Sequence, residues 1–227
     1  MANEIFQGSN NQLVFSLQGA NLLKEKNNCI ESSTAIGYAV EEYLVSKLVN
    51  YSGNLKNALS IQRSSSATTQ DSFDCYFYEN GIKFLVNIKA EKEGGANDAI
   101  AAIKQLREDY CDSDEQKSYI VLKAIYKIAD ANPLNNISDR CIEIIDVESG
   151  SYCLEEVNMA GEDGDFQQDN RNWKAGSNNF NNGRLKASSS FRKKHKMNED
   201  DISFERTRQI LNEIYDYNEE RGKKNPE

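Results

Sequence analysis

Apolar positions recur every three to four residues from 33 to 49, STAIGYAVEEYLVSKLV, where Ile36, Val40, Tyr43, Leu44 and Leu48 share one side of an amphipathic helix. After the polar stretch RSSSATTQD the pattern changes: FDCYFYENGIKFLVNIKAE is rich in strand formers on both sides of Asn80-Gly81. That dipeptide is a strong hairpin signal, because a type I′ turn needs positive φ at both central residues. Gly94-Gly95 breaks the chain, and NDAIAAIKQLREDY then sets Ile100, Ile103, Leu106 and Tyr110 on one side of a predicted second helix, capped by Asn97 or Asp98. Residues 118–128, SYIVLKAIYKI, and 141–149, CIEIIDVES, read as strands. From Gly161 to Ser190 few apolar residues occur, which predicts a long loop of the functional or disordered kind. A last helix is expected from Ser203, with Thr207, Ile210, Leu211 and Ile214 as its stripe.

The order helix, hairpin, helix, strand, strand is that of an α/β fold. At 227 residues and 38% hydrophobic content the chain can bury one substantial core. We divide it into an expected core at 1–160 and a C-terminal part at 161–227, the latter a small subdomain or an extension of the same domain. No stretch approaches the roughly 18 apolar residues of a membrane span, and MANEIFQGSN lacks the layout of a signal peptide, so the expected location is the cytoplasm. The five cysteines, Cys29, Cys75, Cys111, Cys141 and Cys153, are odd in number and scattered, which argues against a disulfide framework or a zinc site. With His195 as the single histidine, histidine-based triads and metal sites are poorly supplied.

A formal charge of -9 is wrong for a nucleic-acid binder until its distribution is considered. Arg171 to Met197 holds eight Lys/Arg and no acid, and taking that +8 from the whole leaves -17 on the remainder. Such a split points to a polyanionic partner.

With Asn80 and Gly81 as the loop, cross-strand partners have numbers adding to 161, so Asp74 is expected to face Asn87. Alternation puts Asn87, Lys89 and Glu91 on one face of their strand, and the diagonal from Asp74 to Lys89 is about 7 to 8 Å or less. An aspartate beside an amide oxygen can hold a hard cation, and a lysine next to it can orient water or offset charge on a phosphate. The plainer reading is a solvated hairpin face. Against it, FLVNIKA is apolar on both sides of its polar pair, and buried polar groups need a reason.

Asp74, a short strand, a glycine turn and FLVNIKAE resemble the core of the PD-(D/E)xK nucleases, in particular the type II restriction endonucleases. The resemblance runs over residues 33 to 128 in element order and implies a restriction-endonuclease-like core, a central mixed β-sheet flanked by helices. It implies Asp74 as a ligand of Mg2+, Lys89 as the catalytic lysine and the Ile88 carbonyl as a further ligand. Asn87 stands where that family usually has Asp or Glu, as a natural variant or as an inactivating change. The first helix of such enzymes often adds an acid, here Glu41 in preference to Glu42. Asp71 is a rival to Asp74, and Glu91 a substitute carboxylate; solvated positions are the plain alternative for each of these acids.

The segment RNWKAGSNNFNNGRLKASSSFRKKHK combines basic, amide and aromatic residues. Arg reads guanine and Asn reads adenine in the major groove, while Lys holds phosphate. Asn178, Asn179, Asn181, Asn182, Arg184 and Arg192 are therefore candidates for base edges, and Lys186, Lys193, Lys194 and Lys196 for phosphate contacts. Plain disorder is the competing account of the same composition. Trp173 is expected to be a packing anchor, and His195 one more group of the basic patch. The window is similar to a restriction-enzyme recognition element, and this C-terminal flavour alone resembles the ScaI type. The resemblance implies double-stranded DNA as substrate, a homodimer, and a cognate DNA methyltransferase in the same system. Two other classes compete: a catalytically inactive DNA-binding protein of nuclease-like fold, and an adaptor whose basic tail binds acidic proteins.

Overall fold

The computed structural model describes residues 30–51, 59–64, 71–95, 99–130, 140–147, 150–156, 166–169, 173, 175–176, 183–187 and 204–224, with Ala2, Ile5, Gln12 and Leu13. In chain order the elements are β1 (Gln12–Leu13), α1 (Ile30–Val49), β2 (Gln62–Arg63), β3 (Cys75–Glu79), β4 (Ile82–Lys92), β5 (Ala99–Ala102), α2 (Ile103–Cys111), β6 (Lys117–Asp130), β7 (Arg140–Asp146), β8 (Tyr152–Cys153), a 3-10 turn (Leu154–Glu156), β9 (Phe166–Asp169), β10 (Arg184–Ala187) and α3 (Phe204–Lys224). The fold is mixed α/β. Two compact units divide the chain: 1–58, 88–97 and 122–151 form the first, and 59–87, 98–121 and 152–227 the second. Both are discontinuous in sequence, and neither coincides with the expected spans 1–160 and 161–227.

In the first unit the strand order is β1, β7, the later part of β6, then the later part of β4. Helix α1 buries Ile36, Val40, Leu44, Val45 and Leu48, and the unit's strands bury Ile88, Ala90, Ala124, Ile142 and Ile144. Gly37 is where helix meets strand: a Cβ built there would lie 3.8 Å from the Ala90 Cβ, ordinary van der Waals contact. Of the predicted helical stripe, Ile36, Val40, Leu44 and Leu48 are therefore the buried face, while Tyr43 is half-buried at its edge.

In the second unit the early part of β6 is followed by the early part of β4, then β3 and β2, with β8 also on β6. The hairpin turn has φ 50° at Asn80 and φ 80° at Gly81, as a type I′ turn requires. Its ladder runs from Glu79↔Ile82 to Cys75↔Val86, the register expected from the turn. Strand β4 is parallel to β6, since Lys83 N donates to Gln116 O at 3.0 Å and Glu93 N to Tyr126 O at 2.7 Å with the same offset. A parallel pair needs a crossover, here supplied by β5 and α2.

Two expectations need correcting. The stretch predicted as helix from 97 begins as a strand: Ala99–Ala102 pairs with β10, and α2 starts only at Ile103, with no side-chain cap at Ala102. Asn97 and Asp98 lie outside the described residues. AIAA is too short for its period to decide, and pairing with a distant strand settles it. The apolar positions are nevertheless right, for Ile100, Ile103, Leu106 and Tyr110 are all buried. The expected loop at 161–190 contains β9 and β10, which pair in register Arg184↔Asp169 to Ala187↔Phe166, in a sheet of order β5-β10-β9. Leu185, Leu211, Ile214 and Leu154 close the core of this unit over α2. Each such side chain contributes roughly 1.5–3 kcal/mol by burial, so Leu106→Ala alone costs about 2–5 kcal/mol. Thr207, Leu211 and Ile214 are buried along α3, with Ile210 partly so; this stripe is core packing.

Candidate functional site

The hairpin ladder ends one rung short of the expected Asp74 and Asn87 pair. Asp74 N donates to Val86 O at 2.8 Å, although Val86 is already the rung partner of Cys75. Two residues thus oppose one, as in a β-bulge, and Asp74 stands in a bend just before β3. Its carboxylate still acts on this neighbourhood. Burial pushes the Cys75 thiol up to about 12, with Asp74 adding to the shift and Arg63 opposing it. Burial likewise raises the Tyr119 hydroxyl, and Asp74 and Asp109 raise it further.

Asn87 is buried at 4% exposure, and its side chain has a definite job. Nδ2 donates to Ser72 O at 2.8 Å, to Ile100 O at 2.8 Å, and to the Tyr119 hydroxyl at 2.7 Å. Tyr119 in turn donates to Ser72 O. Two amide protons thereby serve three oxygens, and carbonyls can only accept, so the nitrogen must face them. Oδ1 is the one ligand atom left to Asn87. Ser72 N donates to Asp109 Oδ2 at 2.5 Å. Burial pushes the Asp109 carboxyl up to about 6 against that hydrogen bond, with Asp71 and Glu108 adding to the rise. Asp71, the rival acid, accepts the Ser64 hydroxyl.

Lys89 and Glu41 belong to the first unit, Asp74 and Asn87 to the second. Past Val86, β4 has no rung with β3, and Glu41 Oε1 accepts Ala90 N at 2.9 Å. Glu41 therefore satisfies a strand amide. Glu42 is half-buried on the same helix. Glu91 pairs with Lys123, Nζ to Oε2 3.0 Å, with side chains only 13% and 6% exposed. Lys123 belongs to none of the sequence motifs. Its signal was there: a single charge inside the apolar run YIVLKAIY, which has to find a partner if that strand is buried.

Within the second unit, the Asp74 carboxylate and the Asn87 Oδ1 are the candidate donors for a divalent cation. One carboxylate with neutral oxygens suits magnesium that arrives with phosphate and water. The amide makes this a weaker donor set than two carboxylates. Among the described residues no group of three or more His, Cys, Asp or Glu could hold a metal by itself.

Of the basic window, Arg184 is exposed and Lys186 half-buried on β10. Asn178, Asn179, Asn181, Asn182, Arg192, Lys193, Lys194, His195 and Lys196 lie outside the described residues. Trp173 is a packing anchor as expected: its ring meets Tyr215 edge-on at 5.9 Å, and Lys104 Nζ lies 4.7 Å from its centroid. Lys104 also pairs with Glu219 at 2.9 Å, and Glu219 Oε2 accepts Gly176 N at 2.6 Å. A cleft of about 460 Å³ between α2 and the start of α3 is lined by Tyr110, Lys117, Phe204 and Arg208 among others, and holds none of the predicted site residues. Cys75, Cys111 and Cys153 are free thiols. Among the described residues no helix is long and apolar enough to cross a membrane.

No protein-family model matches this sequence, and no curated protein matches it significantly.

Proposed function

We propose that this chain is a magnesium-dependent endonuclease of the restriction type, hydrolysing phosphodiester bonds in double-stranded DNA. The observation that carries the reading is the order of elements around β4: helix α1, an antiparallel hairpin, the α2 crossover and parallel β6, with Asp74 entering the hairpin and Asn87 and Lys89 two residues apart on β4. The resemblance to PD-(D/E)xK nucleases implies a helix, hairpin, helix and strand in that order, and this element order supports the reading. In this reading Asp74, the Asn87 oxygen and the Ile88 carbonyl hold Mg2+, which polarises the phosphate when bound. Lys89 orients the attacking water and offsets charge on the phosphate, Glu41 fixes the strand that carries Lys89, and Arg184 with Lys186 belongs to the DNA-contacting part. A palindromic target would call for a homodimer, and a methyltransferase would protect the host's own sites.

A second reading is a DNA-binding protein of the same fold without catalysis. The observation favouring it is the commitment of the Asn87 nitrogen to three oxygens in place of a second acid. Supercoiled plasmid incubated with magnesium, and separately with manganese, distinguishes them. Cleavage at discrete sites that disappears in Asp74→Ala and Lys89→Ala supports the enzyme. Tight duplex binding without cleavage under either metal supports the binding protein. Equal affinity for heparin and DNA, without cleavage or sequence preference, supports an adaptor and overturns both.

A further inference from the structure

Lys89 and Glu91 stand two residues apart on one strand, so their side chains share a face and can reach one another. A lysine paired to that carboxylate would meet phosphate with its charge already half-neutralised. The constant offset between β4 and β6 places Lys123 directly beside Lys89, because Glu93 N bonding Tyr126 O sets Glu93 opposite Lys127 and Lys89 opposite Lys123. It is Lys123, the more buried of the two lysines, that holds Glu91, at 3.0 Å.

We infer that Lys123 is a positioning residue for Lys89: by holding Glu91, it keeps the Lys89 ammonium available to a phosphate group. This rests on the proposed role of Lys89 for its functional meaning, but its structural content can be tested without it. Lys123 is built into place from several sides. Lys123 N donates to Ser151 Oγ at 2.9 Å, and Ser151 Oγ donates to Val147 O at 2.7 Å, which ties the strand to the turn that follows β7. Gly150, at φ 94°, lies over the lysine stem; a Cβ there would stand 3.1 Å from Lys123 Cδ. The lysine stem passes close under Gly150 and its ammonium ends at Glu91. The other nearby carboxylate, Glu41, accepts the Ala90 amide. Among the described residues no ion pair is formed by Lys89. An interior ion pair of this kind is seldom a large source of stability, whereas removing one partner leaves a buried charge in search of another. Lys89, two residues away on the same face of β4, is a substitute cation within reach of Glu91.

The test is the acylation rate of Lys89 by an amine-specific reagent, read by peptide mass spectrometry on the full chain without metal, beside plasmid cleavage. In Lys123→Met the orphaned Glu91 turns to Lys89 and covers its ammonium, so the acylation rate of Lys89 falls several-fold below wild type. In Lys123→Met with Glu91→Gln the rate returns to the wild-type value, while Lys123→Arg leaves it unchanged. An unaltered rate in folded Lys123→Met overturns the inference. Should that variant not fold, Glu91→Gln decides: an unchanged rate supports the inference, since Glu91 is held by Lys123, whereas a several-fold rise shows that Glu91 covers Lys89 in the native chain and overturns it. Absence of cleavage in the wild type would sink the nuclease reading and leave the acylation result standing.

Discussion

The side-chain nitrogen of Asn87 lies 2.8 Å from the carbonyl oxygen of Ser72, two residues before Asp74. The same nitrogen holds the Ile100 carbonyl, so one amide links β4 to the bend that carries Asp74 and to β5. Asn87→Asp would restore the acid usual in the resembling family, yet would aim a carboxylate at two carbonyl oxygens. We expect a loss of about 2–4 kcal/mol and no gain in cleavage. The sign with pH follows from protonation. A carboxylic acid can donate to a carbonyl, so the folded state raises the new group's pKa, and stability falls as pH rises from the unfolded value toward the folded one. Melting temperatures of variant and wild type at pH 4 and pH 8 check this; equal differences at both would count against the donor role.

Asp109 offers a second pH dependence. Its carboxyl is pushed from 3.8 up to about 6, chiefly by burial. Between those values the unfolded chain is ionised while the folded one keeps its proton. The Asp109 contribution to stability therefore falls as pH rises through this window and is level above it. Because the group is partly exposed, about 1 kcal/mol is the expected size. Asp109→Asn keeps an acceptor for Ser72 N and removes the titration. Unfolding free energies from urea titrations at pH 4.5 and 7.5, each as variant minus wild type, should differ by that amount, with the variant relatively more stable at the higher pH.

The hairpin register was legible in Asn80-Gly81 because the turn type fixes which residues face each other. The next rung was not, since the extra residue at Asp74 and Cys75 is invisible to alternation. The strand identity of Ala99–Ala102 depends on β10, more than 80 residues later, and no local period carries that information. Asn87 stood out as a polar residue in an apolar strand, but the oxygens that need its nitrogen come from Ser72, Ile100 and Tyr119, brought together only by folding. Lys123 had the same kind of signal as Asn87, and what it lacked was a motif to draw attention to it.

The Lys104–Glu219 pair ties α2 to α3, with side chains 5% and 11% exposed. Lys104→Met leaves Glu219 with the Gly176 amide as its remaining hydrogen bond among the described residues. We expect a loss of about 3–5 kcal/mol, mostly recovered when Glu219→Leu is added, because the cost lies in the orphaned charge. Chemical denaturation of the two single variants and the double variant measures the coupling; additive losses would show that the pair is not one unit.

Arg184 is the exposed cation of β10, flanked by the buried Leu185. If the C-terminal part contacts DNA, Arg184 does so in one of two ways with different signatures. A phosphate contact contributes about 0.9 to the slope of log affinity against log salt, and Arg184→Ala lowers that slope by this amount for every duplex alike. A contact to a guanine edge leaves most of the slope in place and costs about 1–3 kcal/mol on the cognate sequence only. Binding isotherms for cleaved and unrelated duplexes at several salt concentrations separate the two. Unchanged affinity and slope on both duplexes would remove β10 from the interface, and would leave DNA contact to other parts of the basic window.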